Sequence, residues 1–177
     1  VAKTYNTIGT FTAGNVLTAA EMNDIGENSN NYRVPPMCRV VSTGDTAIAH
    51  NTFVAESFDG TEAFDTDSMH DPSSNPSRIT INTAGVYLIT GNVLWQLNTN
   101  GSRQLWIRLN GSTYIAGNDA RCDASYDMPQ VVTTLYEFAA NDYVELVLRQ
   151  DSNVSLNSKT AASYAATFQA LWVGQVS

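Results

Sequence analysis

The chain has 177 residues, 43% of them hydrophobic and only 15% charged, with a formal net charge of −8 at pH 7. That size suits one ordinary domain with a short appendage and a proper core. Its nine Lys and Arg residues are dispersed, so the basic footprint that nucleic acid or an anionic membrane surface would need is missing, and neither is expected as a partner.

Residues 1–36 read as an N-terminal arm. Thr18-Ala-Ala-Glu21 has the capping-box pattern, with Leu17 before it and Met22 after it placed for a hydrophobic staple. This predicts a helix from Ala19 to about Asn28, with Met22 and Ile25 as its apolar stripe. Asn28-Ser-Asn-Asn31 and then Pro35-Pro36 end it and form a linker. A helix this short needs something to pack on. Two readings stay open: a helix folded back on its own domain, or an arm that docks on another protein through Leu17, Met22 and Ile25.

Residues 37–177 read as a β-domain. Met37–Ser42 and Ala47–Phe58 are the first strand-like runs, and Asp59–Pro76 is a long polar loop. Arg78–Asn82 follows as a short strand. Val86–Leu97 then alternates, with Tyr87, Ile89, Val93, Trp95 and Leu97 on one face and Val86, Leu88 and Leu94 on the other. Apolar residues on both faces predict burial on both, against a second sheet or another subunit. Further strands are expected over 103–109, 112–117, 130–138, 143–150 and 163–173. Asn110-Gly111 between two of them is a hairpin signal, because both turn positions need a positive φ. Eight to ten turn-linked antiparallel strands predict an all-β sandwich of the jelly-roll or immunoglobulin-like sort.

The acidic run Asp59–Asp71 carries Asp65 and Asp67, but its spacing does not match an EF-hand, so a solvated loop is expected rather than a metal site. Neither His50 nor His70 stands beside a nucleophile, and no phosphate-cradling loop or zinc spacing occurs. No catalytic residue, metal or cofactor is therefore expected. Cys38 and Cys122 do not make a disulfide scaffold, and their pairing stays open. The first residues lack an apolar run behind a basic head, and no apolar segment of about 18 residues occurs. Neither a signal peptide nor membrane insertion is expected.

The run from Phe64-Asp-Thr through Ile79-Thr-Ile-Asn-Thr-Ala-Gly-Val-Tyr-Leu-Ile-Thr-Gly-Asn-Val-Leu-Trp95 resembles the globular-head family of complement component one-q and tumour necrosis factor. Arg108-Leu-Asn-Gly111, Asn141-Asp142-Tyr-Val and Phe168-Gln-Ala-Leu-Trp172 extend the likeness over residues 38–175, with Asn-Asp standing where that family usually has Gly-Asp. The resemblance implies a ten-strand jelly roll assembled as a homotrimer. Tyr136, Phe138, Tyr164, Phe168 and Trp172 are then the candidates for the trimer interface near the axis. Separately, Phe11-Thr-Ala-Gly-Asn-Val-Leu-Thr-Ala-Ala-Glu-Met-Asn23 with Pro35-Pro36 resembles the leader of tailed-bacteriophage structural proteins.

Together the two resemblances imply a non-enzymatic virion protein: an arm anchored to capsid or tail proteins, and a trimeric knob, assembled in the host cytoplasm. Its outward loops, Asp59–Pro76, Asn98–Ser102 and Asn118–Pro129, would face host-surface glycans, with Trp106, Tyr126, Asp65 and Asp67 as contact candidates. A stand-alone lectin-like module and a glycan-cleaving β-sandwich are the alternatives.

Overall fold

The structure is a computed structural model that describes residues 2–60, 62–122, 126–160 and 164–175. One helix, α1 (Ala19–Arg33), precedes twelve strands: β1 (Met37–Val41), β2 (Thr46–Ile48), β3 (Val54–Ala55), β4 (Phe64–Asp65), β5 (Arg78–Thr80), β6 (Gly85–Trp95), β7 (Ser102–Leu109), β8 (Thr113–Arg121), β9 (Met128–Phe138), β10 (Tyr143–Gln150), β11 (Leu156–Ser158) and β12 (Thr167–Gly174). They form two antiparallel sheets. The larger runs β2-β11-β6-β12-β1-β4, with β9 along the free side of β6; the smaller runs β3-β10-β7-β8, with β5 beside β10.

The core lies between the sheets and is built by alternation. Tyr87, Ile89, Val93 and Trp95 of β6 and Phe168, Ala170 and Trp172 of β12 meet Leu105 and Ile107 of β7 and Val144, Leu146 and Leu148 of β10. Close approach needs small residues at two places. A side chain at Gly91 would stand 2.4 Å from Leu146, which packs across from the other sheet. Gly85, the glycine that opens the central strand, has φ +143°, and a Cβ there would lie 2.3 Å from the Trp172 indole nitrogen. Asn110 and Gly111 take φ +50° and +71° and turn β7 into β8, the geometry expected of that hairpin.

Several elements depart from the sequence reading. The run 47–58 breaks into β2 and β3 at a turn where Thr52 donates to the Ala49 carbonyl (3.2 Å). β4 and β11 have no counterpart in that reading, since two or three residues carry no period. Ser163, where the reading begins the last strand, lies outside the described residues, and β12 starts at Thr167. Helix α1 continues past Asn28 to Arg33. The side chains of Asn28 and Asn31, expected to break it, instead donate to the carbonyls of Asn6 (2.8 Å) and Thr4 (2.6 Å). Tertiary partners thereby satisfy groups that would otherwise compete with the helix backbone. Both cysteines are free, buried thiols, Cys38 in β1 and Cys122 just past β8 on the other sheet.

Candidate assembly surfaces

Alternation places one set of β12 side chains in the core and the other outside. Phe168 (0% exposed) and Trp172 (3%) belong to the first set, as does Phe138 (2%) of β9. Phe168 stacks on Phe58 at 5.8 Å and Phe138 meets Tyr87 edge-on at 6.0 Å, all within one protomer. These three candidates for the trimer interface are therefore core residues. Tyr136 is at the open end of the sandwich, 5.0 Å from Phe138, and Tyr164 is 59% exposed beside the outer surface of the larger sheet.

That outer surface carries the residues the aromatic reading passed over. The register sets Leu135 of β9, Leu88 of β6, Leu171 of β12 and Met37 of β1 in one row across four strands. The next row is Thr133, Thr90, Gln169, Arg39 and Phe64, and the third begins with Val131 and Asn92. Leu135 is 60% exposed, Val131 52%, and Phe64, Leu171 and Leu88 about 40% each. Thr90 and Thr133 hydrogen-bond each other at 2.9 Å, and Thr167 bonds Asn92, so these four are satisfied within the face. In the rows named, the charged positions are Arg39 and, at one end, Glu137. A dimple of about 240 Å³ opens between Met37, Phe64, Leu88 and Leu171. A second of the same size lies between Leu94, Val131 and Tyr164. An apolar row flanked by mostly uncharged side chains, on a sheet whose other side is already buried, makes this face a candidate interaction surface. The sequence signal for it was the apolar content of both faces of β6.

The N-terminal segment and α1 form an antiparallel finger. At its root Tyr5 stacks on Trp172 (4.4 Å, interplanar angle 12°) and Tyr32 closes edge-on at 5.3 Å. Burial raises the Tyr5 phenol to a pKa of about 12. The Lys3 amide donates to Thr83 Oγ1 (2.7 Å), and the Asn6 amide donates to Asn28 Oδ1 (2.8 Å). Thr18 and Glu21 make the capping box at the helix start. Beyond the root, little is covered. No residue of α1 is buried. Val16 is 91% exposed, with Phe11, Leu17 and Met22 also exposed and Ile25 half-buried. From Thr4 to Ala20 there is no charged side chain.

The acidic loop is part of the framework. Asp67 is fully buried, contrary to its reading as an outward contact; its Oδ2 accepts from Thr83 Oγ1 at 2.8 Å, and burial raises its pKa. The Asp65 carboxylate accepts the amides of Asp67 (3.1 Å) and His70 (3.0 Å). The His70 ring, its side chain wholly covered, has one nitrogen 2.9 Å from the Arg78 carbonyl and the other 2.9 Å from that of Phe58. Among the described residues no group of three or more His, Cys, Asp or Glu is arranged to hold a metal ion. Trp106 stands mid-strand in β7 rather than in a loop, lying over Gly117, and Tyr126 is 78% exposed. Residues 123–125 of the expected loop 118–129 are outside the described residues, and β8 and β9 occupy both its ends.

No family model and no curated protein matches the chain. Among solved structures it is similar to the globular domain of zebrafish complement 1qA protein, 12% identical, with a TM-score of 0.54 over 80% of this chain and 99% of that one. It is also similar to murine APRIL, 7% identical, with a TM-score of 0.58 over 77% of this chain and 98% of the other. These likenesses show the fold: a two-sheet jelly roll of the kind the head-family resemblance implies.

Proposed function

We propose that this chain works by assembly: a non-enzymatic knob that forms a homotrimer through the outer face of its larger sheet and is carried on a larger particle by its N-terminal finger. The apolar, nearly uncharged face of β9, β6, β12 and β1 is the observation that carries the reading. Its protruding side chains, Leu135 and Val131, sit at the β9 side, and one of its two dimples, lined by Met37, Phe64, Leu88 and Leu171, sits away from them. Knob and hole on different parts of one face suit a head-to-tail contact, which forms a ring where the rotation between copies closes. The head-family resemblance supplies the number three. Burying each leucine or valine contributes about 1.5–3 kcal/mol.

The resemblance of residues 11–23 to tailed-phage leaders supports the virion as that particle, with other virion proteins of capsid or tail as partners of the finger. Its uncharged tip suits an apolar socket. Light scattering tests the trimer: a native mass three times the 19.2 kDa chain is expected, and a monomer would overturn it. For the finger, Val16→Asp alters a side chain that touches little of its own fold. That variant should melt as the parent does yet fail to join particles in a reconstitution; unchanged incorporation would refute the anchor.

A further inference from the structure

The outer face of the smaller sheet carries a second surface, which self-assembly leaves unused. Such a face should be wet and polar in an antiparallel sandwich. Here β7 and β8 and the segment before β3 instead bring together Trp106, Tyr114 and Phe53. Trp106 lies flat on Gly117, where even a Cβ would stand 2.1 Å from the ring. Tyr114 meets it edge-on at 5.4 Å, and Phe53 follows Tyr114 at 5.9 Å. Tyr114 is 42% exposed and Phe53 49%.

Hydrogen-bonding groups border the rings in a fixed order. The Arg149 guanidinium stands 5.5 Å from the centre of the Phe53 ring and donates to Gln104 Oε1 (2.9 Å) and Asn51 Oδ1 (2.6 Å). The Gln104 amide donates in turn to Asp119 Oδ2 (2.7 Å). Behind them Arg108 and Arg78 share Glu145, so the face has no uncompensated charge cluster.

We infer that this platform binds a neutral, extended polysaccharide. Sugars offer apolar C–H faces that stack on aromatic rings and hydroxyls that bond to planar amide, carboxylate and guanidinium groups. Both components are present and interleaved. The ring-to-ring steps of 5.4 and 5.9 Å are close to the span of one pyranose unit. The Trp106–Tyr114 contact is edge-on and the Tyr114–Phe53 contact tilted, so the exposed Tyr114 and Phe53 offer the ring surface and Trp106 backs them. The rings are held before any ligand arrives: Gly117 seats Trp106, and Arg149 is locked by two acceptors, so little ordering entropy opposes binding. A net charge of −8 repels polyanions, which selects an uncharged glycan.

The sugar contact itself is a property of one protomer. It rests on the trimer reading only for its outward position, because the two sheet faces point in opposite directions, and for the multiplication of weak contacts by three.

The test is affinity electrophoresis of the full chain in native gels cast with a soluble neutral polysaccharide (mixed-linkage β-glucan, dextran or galactomannan) or with alginate as the anionic control. Retardation by at least one neutral polysaccharide and none by alginate is expected. Removing Phe53 or Tyr114 as alanine should weaken it about tenfold for each ring, and melting curves would verify that the variants fold. Trp106→Phe, which keeps a ring on Gly117, should retain binding if Tyr114→Ala proves unstable. Leu135→Asp separates the two readings: a monomer by light scattering that is still retarded supports the platform whatever becomes of the trimer. Mobility unaffected by all three neutral polysaccharides, retardation by alginate alone, or retardation that survives the loss of both Phe53 and Tyr114 overturns the inference.

Discussion

Leu135→Asp set against Phe168→Ala distinguishes an interface residue from a core residue. Leu135 is 60% exposed in the protomer, so an aspartate there meets water in the monomer and should change folding stability by less than about 0.5 kcal/mol. In the proposed trimer the same carboxylate would lie in an apolar contact. It forfeits about 2 kcal/mol of leucine burial and adds a desolvation cost of several kcal/mol. At about 5 kcal/mol per contact, and on the order of 15 kcal/mol over three symmetric contacts, a contact of nanomolar strength becomes weaker than micromolar, so the trimer should dissociate at micromolar protein.

Phe168 is wholly buried between Phe58 and the opposite sheet. Its truncation should cost about 3–5 kcal/mol of protomer stability through the cavity left behind. Light scattering and thermal denaturation on both variants read the two effects separately. Leu135→Asp should give a folded monomer with a parental far-ultraviolet spectrum. Phe168→Ala should keep the trimer mass below a lowered melting temperature. The reverse pattern, with Phe168→Ala dissociating a trimer that Leu135→Asp leaves intact, would refute the assignment of the interface to the outer face.

Two further outcomes follow from single sites. Gly85→Ala combines a positive φ with a clash against Trp172 and Gly174, so it should lower stability by at least about 2 kcal/mol, read by denaturant titration; an unchanged midpoint would mean that the strand opening is not constrained. Burial raises the pKa of Glu56, despite hydroxyl bonds from Ser158 and Thr46, and burial likewise raises that of Asp67. A carboxyl raised in the folded state stabilises most fully below its ordinary unfolded pKa, and that stability is lost as pH rises through the folded value. The melting temperature should therefore fall from about pH 4.5 upward, and Glu56→Gln with Asp67→Asn should flatten that fall. A double variant with the parental pH profile would remove both groups as its cause.

Much of the fold is legible from local pattern. The capping box at Thr18 and Glu21, the Asn110-Gly111 hairpin and the alternation of Tyr87, Ile89, Val93 and Trp95 all appear in the structure where the sequence places them. Each depends on neighbours within a few residues, so pattern alone identifies it. β4 and β11 escape because two or three residues are too few to show a period and exist as strands only through their partners. Helix α1 outruns its expected end because Thr4 and Asn6, far away in sequence, accept from its asparagines.

The candidate surfaces divide along the same line. A period of two separates Phe168, Ala170 and Trp172 from Leu171 and Val173 without saying which set faces inward, because both are apolar. The head-family resemblance put the aromatics near a trimer axis, and the structure seats Phe138, Phe168 and Trp172 in the core instead. Asp67 shows the same limit in a polar residue: an acid in a polar run reads as solvated until Thr83 and the end of the sandwich close over it. By itself, then, the sequence determined the all-β class, the strand periods and the uncharged character of residues 4–20, since these are properties of composition and near neighbours. Only the tertiary structure decided which apolar face is core and which is left for a partner, because that depends on strand pairing and sheet stacking between residues as far apart as Met37 and Leu171.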